Sequence, residues 1–471
     1  MRRRLAWGAV LAFVAVAPAT AHAAGPVPWC GPDAVAADRL PDATLGFAVH
    51  VVYAFPADGS DRFAEWAPRI AGDIAEIDAW WRAEDPARAL RFDLAAFPCA
   101  STFGQLDVSR VQLQETAAQL TTFATVFSRI TGALPLPPFG FASPDKKYLV
   151  YFDGPHDQGS AAQTCGQGRR GYADGGAESY AVVYVRTCNM EADDAFRAFV
   201  AAHELLHSLN ALPSGGPPHA CPGDDAHACD SIADILTGSS TYESGRLAEK
   251  HLDVGRDDYY GHGSSWWDVQ DSLFLERLDS PDRAAPSDVA GLTATSSGSV
   301  VTLRWRAASD DSGAVTYRAY RDGTLVQREL TAFSANDGAA QPTATYEYSV
   351  RAADAVGHLG PPATIRFTVG LGIVDAAGKL VRDTVPPGAI PRAEVSWRGD
   401  VVRMRWGAAR DPGGIKGYRI TADKRVLARP AKTSIVLSRK KLVGKQVKIA
   451  AIDRAGNVGP AFVVPKRWFV S

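Results

Sequence analysis

The sequence predicts an α+β domain followed by two all-β sandwiches. Three observations carry that prediction. Between Leu45 and Leu278, short apolar runs alternate with long stretches of helical period. Beyond Ala285 the pattern changes to short alternating strands separated by turn residues. Within that second part, two segments about 100 residues apart repeat one another.

In chain order, residues 1–24 read as a signal peptide. Arg2-Arg3-Arg4 supplies the charged start, Leu5–Val16 the apolar stretch, and Ala21-His22-Ala23 the small-x-small cleavage site. No later apolar run is long enough to span a bilayer, so the mature chain is expected to be secreted and extracellular. All six cysteines lie in the first half, an even number that suggests disulfides in an exported protein. Local pairing is expected: Cys165 with Cys188, Cys221 with Cys229, and Cys30 with Cys99.

The first domain spans residues 25–282. Leu45–Phe55 reads as a buried strand, and Arg62–Trp81 as an amphipathic helix on Phe63, Trp66, Ile70, Ile74, Ile77 and Trp81. Leu90–Leu94 reads as a short strand and Val108–Ile130 as a second helix, stopped by Pro135, Pro137 and Pro138. Lys147–Phe152 and Tyr180–Val185 read as strands, and Gly154–Gly176 as a loop between them. The third helix follows, with Asp193 or Asp194 as its cap and Phe196, Phe199, Val200, His203, Leu206 and His207 on one face.

That helix carries His203-Glu204-Leu205-Leu206-His207, an H-E-x-x-H motif. Histidines four apart share a helix face and can hold one metal ion, with Glu204 beside it as a proton acceptor. A chance match occurs in roughly one such chain in a hundred. Downstream comes a run of further ligand types, among them His219, Cys221, Asp224, His227, Asp230 and Asp234. His50 reads as a core histidine and His156 as a surface one. Asp253–Tyr260 reads as turn chemistry before calcium binding.

The span Ala198–Gly238 resembles the metzincins, zinc peptidases with H-E-x-x-H-x-x-G-x-x-H and a later Met-turn. His203, Glu204 and His207 match; Asn210 stands at the family's Gly and Pro213 at its third His. Leishmanolysin-like members place that His after an insertion, which makes His219 the first choice for the third ligand and His227 and Asp230 the alternatives. Asp234 falls behind the site and Leu236 at the Met-turn position; Gly238 replaces the usual Tyr, leaving Tyr242, Tyr259 and Tyr260 as candidates for its role. The resemblance implies a Zn2+ cofactor, a protein or peptide substrate, and peptide-bond hydrolysis by attack of a zinc-bound water that Glu204 deprotonates. Against it stands a non-catalytic cell-surface or cell-wall-binding protein with a degenerate metal site.

Residues 284–372 and 386–471 form the repeats. Val301–Arg306 matches Val401–Trp406, each with a Trp, and Val350–Gly357 matches Ile449–Gly456. Both units resemble fibronectin type III modules, with residues 373–385 a linker that runs into Pro386-Pro387, a Pro-stiffened joint. The last unit holds nineteen Lys and Arg against five Asp and Glu. Such a run usually marks a solvated face, the first reading here. The other is contact with an anionic cell-wall polymer, a membrane surface or, without specific recognition, nucleic acid.

Overall fold

β1 (Ala48–Phe55) is buried at all eight positions, as a strand must be when helices cover both faces of its sheet. The computed structural model describes residues 25–32, 38–40, 42–120, 123–155, 164–169, 180–238 and 245–469. The signal-peptide reading, His156 and Tyr242 lie outside these residues. β1 is followed by α1 (Phe63–Glu84), β2 (Arg88–Leu90), β3 (Val108–Gln112), α2 (Phe123–Ala133), β4 (Lys146–Phe152), β5 (Gly166–Gly168), β6 (Tyr180–Tyr184) and α3 (Asp194–Ser208). The sheet order is β3-β1-β4-β6-β5, parallel except for the edge strand β5. Parallel pairing through helical crossovers makes this half α/β in connectivity, where an α+β domain was expected.

One face of the sheet, with Val49, Val51, Tyr151 and Val183, packs on α1 and α3 through Trp66, Ile70, Phe199 and Leu206. The other face, with Val52, Val150 and Val182, meets Val126 and Ile130 of α2. Each fully buried aliphatic or Phe side chain here is worth about 1.5–3 kcal/mol. A buried fork ties the two long helices: Arg197 Nε and Nη2 donate to Asp73 Oδ2 and Oδ1 at 2.7 and 2.8 Å. Burial pushes the Asp73 carboxyl up to about 6 against the pull of Arg197. Removing either partner would strand the other charge, at about 3–5 kcal/mol.

Two expectations change. The helix expected over 108–130 is β3, a single-turn stretch and then α2, because β1 needs a partner for the backbone groups on its β3 side and Val108–Gln112 pairs with Val51–Phe55. The loop expected over 154–176 contains β5. All three disulfides expected from the sequence are present: Cys30–Cys99, Cys165–Cys188 and Cys221–Cys229. His50 is a core residue, with Nδ1 on Asp93 and Nε2 on Ser109.

After α3 comes a two-stranded hairpin, β7 (Ala220–Cys221) and β8 (Asp224–Ala228), then loops and β9 (Leu275–Arg277), which pairs with β2. Two sandwiches follow. In the first, β10 (Ala290–Ser297), β11 (Val300–Arg306) and β14 (Ser334–Asp337) form one sheet. The other holds β12 (Thr316–Arg321), β13 (Thr324–Leu330), β15 (Thr345–Ala353), β16 (Ala363–Thr368), β17 (Gly372–Val374) and β18 (Leu380–Arg382). β17 and β18 fall where a linker was expected, so most of residues 373–385 extends the first sandwich. The second unit pairs β19 (Ala393–Arg398), β20 (Val401–Trp406) and β23 (Ser434–Ser438) against β21 (Ile415–Ala422), β22 (Arg425–Ala428), β24 (Val447–Asp453) and β25 (Phe462–Val464). Trp305 and Trp406 sit in the two cores. Both units are fibronectin type III-like.

The first sandwich is fused to the first domain. Ala353 and Leu359 belong to the first domain's core, and Tyr320 donates to Asp145 at 2.7 Å. Buried Arg91 donates to the carbonyls of Phe47, Leu273 and Val356.

Candidate metal centre

α3 starts where Asp193 accepts from Phe196 N–H at 3.0 Å, leaving Asp194 to bind Arg69 and Arg197. It ends in a left-handed turn. Asn210 has φ 63°, and Ala211 N–H returns to Leu206 O at 3.1 Å, the bond of a Schellman cap. Asn, at the position where metzincins carry Gly, tolerates that conformation. Between these caps His203, Glu204 and His207 are all buried.

The structure gathers His203, His207 and His227 into one cluster. His203 Nε2 lies 3.1 Å from His207 Nε2 and 3.3 Å from His227 Nε2. The opposite nitrogens set the tautomers. His203 Nδ1 faces Ile235 O at 2.7 Å, and a carbonyl can only accept, so the proton sits on Nδ1 and the lone pair on Nε2. His227 Nδ1 faces Asp224 Oδ2 at 2.7 Å, with the same consequence. Burial, then His207 and His227, hold His203 well below the ordinary histidine range, so its ring is neutral.

The His203 and His227 lone pairs, turned toward one another at 3.3 Å, repel unless a cation or a donated N–H lies between them, and His207 Nε2 stands 3.1 Å from His203 Nε2. Zn–N bonds of 2.0–2.1 Å in a tetrahedron place ligand nitrogens about 3.3 Å apart. Three imidazoles in this arrangement fit zinc by donor type and by spacing.

The residues expected from sequence separate accordingly. His227, an alternative, is the third imidazole; His219, the first choice, is elsewhere. His219 is 42% exposed, with Nδ1 3.2 Å from Asp258 Oδ2 and 3.7 Å from Asp257. Asp230 groups with His219 and Asp258, away from the three imidazoles. The divergence has a local cause: β7 and β8 pair, Cys221–Cys229 closes the hairpin, and His227 comes to the α3 side while His219 faces the Asp253–Tyr260 loop.

Asp234 is fully buried and accepts from Leu236 N–H, Val254 N–H and Tyr259 O–H. It thereby shapes the turn whose Ile235 carbonyl holds His203. Burial pushes its carboxyl up to about 6. Leu236 is buried in the same turn. A side chain at Gly238 would press on the Cys221 sulfur at 2.9 Å and His227 Cβ at 3.1 Å, so Tyr could not replace it there without movement. The hydroxyls of Tyr259 and Tyr260 are spent on Asp234 and Asp85. Asp253 accepts from the amides of Asp258, Tyr259 and Tyr260.

Sequence reasoning passed over Asp224 as the Nδ1 partner and β5 as the wall of the site. A Cβ on Gly166 would come within 2.5 Å of Glu204 Cγ, and one on Gly168 within 2.2 Å of Glu204 O. The Gly-x-Gly spacing in 166–168 was the available signal, since it lets an edge strand approach a helix closely.

No protein-family profile matches the chain. Among curated proteins it is similar to exoglucanase B of Cellulomonas fimi, at 30% identity over 188 residues, 38% of this chain and 16% of that one. Chitinase Chi52 of Paenibacillus xylanexedens matches at 39% over 85 residues, 18% of this chain and 16% of that one. The chain thus spans about a sixth of each of these relatives. Among solved structures, a two-module fibronectin type III segment of chicken tenascin is 15% identical, covering 38% of this chain and 98% of that one, with a TM-score of 0.17. An Fn3-like protein from Clostridium thermocellum is 26% identical, covering 18% and 95%, with a TM-score of 0.16.

Proposed function

We propose that the chain is an exported zinc-dependent metallopeptidase of metzincin type, in which His203, His207 and His227 hold the metal. The supporting observation is the convergence of three Nε2 atoms, two of them turned lone pair inward by acceptors behind the rings. Zinc bound there would supply Lewis-acid polarisation of a substrate carbonyl and lower the pKa of a water. Glu204, next to His203 on α3, takes a proton on its carboxylate during attack and returns it to the leaving amine. β5 walls the site beside Glu204. The sandwiches are carriers; the names of the relatives, an exoglucanase and a chitinase, support a setting among extracellular polysaccharides.

The deciding measurement is zinc content and casein hydrolysis on parent and Glu204→Gln proteins. The reading expects about one zinc in each and hydrolysis lower by about 10²–10⁴ in the variant. Equal hydrolysis would remove Glu204 from the mechanism. Zinc without hydrolysis in the parent would favour a degenerate, adhesive protein. That second reading is supported by Leu236 and Gly238 at the Met-turn and Tyr positions and by the engaged hydroxyls of Tyr259 and Tyr260.

A further inference from the structure

The two sandwiches build the same three-stranded sheet, so their outward faces can be compared row by row. In the first, β10, β11 and β14 place Thr293, Arg304 and Ser334 in one row and Thr295, Thr302 and Asn336 in the next. In the second, β19, β20 and β23 place Glu394, Arg405 and Ser434 in one row, then Ser396, Arg403 and Val436, then Arg398, Val401 and Ser438. Residues directly opposed in register share a face. Arg398, Arg403 and Arg405 are exposed, while Val402, Met404 and Trp406 between them point into the core.

The fold does not call for these arginines, because the first sandwich carries neutral residues at most of the same positions. Like charges gathered on one face repel, so they weaken the free module. The contrast extends to the whole units: residues 284–372 hold seven Arg and no Lys against eight acids, and residues 386–471 hold nineteen Lys and Arg against five. Among the described residues, no Lys or Arg of the second unit lies within 4.0 Å of a carboxylate oxygen. Glu394 opposite Arg405 and Asp400 near Lys440 and Arg439 compensate only part of this charge.

We infer that the β19-β20-β23 face is a binding surface for an acidic polysaccharide. Arg presents a planar fork that takes a carboxylate with two parallel hydrogen bonds, which Lys cannot do. Ser396 and Ser434 stand opposite Arg403 and Arg405 and can exchange hydrogen bonds with sugar hydroxyls. Other polyanions fit the face less well. Trp397 is opposed to the inward Val402 and so lies on the other side of the sheet, with the Arg439 guanidinium 4.0 Å from its ring centroid; the arginine face itself offers no aromatic platform for base stacking. A flat sheet face offers no helix or ribbon to enter a duplex groove. Its apolar content is Val401 and Val436, too little to insert among lipid chains.

The test is binding of the full mature chain to polygalacturonate, by affinity electrophoresis, at two salt concentrations. Dextran, duplex DNA and phosphatidylglycerol vesicles serve as comparisons. The inference expects binding to polygalacturonate that weakens with salt, none to dextran, and weaker binding to DNA and vesicles. The Arg398→Ser/Arg403→Thr protein, which takes the first module's residues Ser297 and Thr302 at these positions, should bind at least about tenfold more weakly with an unchanged melting temperature. If that protein melts early, Arg403→Glu alone, at one exposed position, should show the same loss. Undiminished binding in a folded variant overturns the inference, as does absence of binding by the parent or tighter binding to DNA or vesicles. None of these results depends on whether the metal centre is active.

Discussion

His219 and His227 stand eight residues apart in one short hairpin region, and each turns Nδ1 toward an aspartate. They end in opposite circumstances. His227 has a single carboxylate behind it, Asp224, and points Nε2 at two other imidazoles. His219 lies among Asp230, Asp257 and Asp258. Burial pulls the pKa of His219 down, but Asp258 and Asp257 together outweigh it and the net shift is upward. One environment keeps a lone pair available to a metal; the other favours a proton and an ion pair. A histidine near a motif becomes a ligand by where its second nitrogen is aimed, and proximity in sequence does not settle that.

The proposal can be broken most severely at α3. His203→Ala or His207→Ala should reduce zinc from about one per chain to none by elemental analysis, since two ligands cannot hold it against buffer. The next test separates the hairpin histidines. His227→Ala should lose zinc on dialysis, and His219→Ala should retain it; the reverse would return the third-ligand role to His219. Smaller effects should come from the groups behind the ligands. Asp234→Ala and Asp224→Ala are each expected to weaken zinc affinity about 10–100-fold, measured by competition with a chelator. Gly168→Ala should cost about 1–3 kcal/mol of stability by urea unfolding, because its Cβ would meet the α3 backbone.

The smallest expected effect sharpens the His219 side of the comparison. A histidine with a raised folded pKa contributes stability that is complete below about 6.5 and is lost as pH rises through its folded value. The His219–Asp258 contact should therefore loosen above pH 6.5, followed by the His219 ring signals in NMR. Asp258, itself raised by burial and then by its acidic neighbours, stays paired below that point. In His219→Gln the pH-dependent part should vanish.

Much of this was legible because it is local. Helical period and the Asp193 cap mark α3, and His203, Glu204 and His207 follow from a spacing of four. Cysteines close in the chain find one another, and the hundred-residue repeat exposes the sandwiches. What required the tertiary structure is non-local. Val108–Gln112 became a strand because β1 offered it backbone partners, which no local pattern announces. Residues 373–385 became strands by adding to an existing sheet edge. The first sandwich's union with the first domain rests on Arg91 reaching Val356 and Asp145 reaching Arg318, both far away in sequence. The third imidazole belongs to the same class. Sequence supplied His219, His227 and Asp230 as chemically adequate choices. Only the folded hairpin, held by β7–β8 pairing, the Cys221–Cys229 bridge and the Asp224 contact, selected which nitrogen would face the other two.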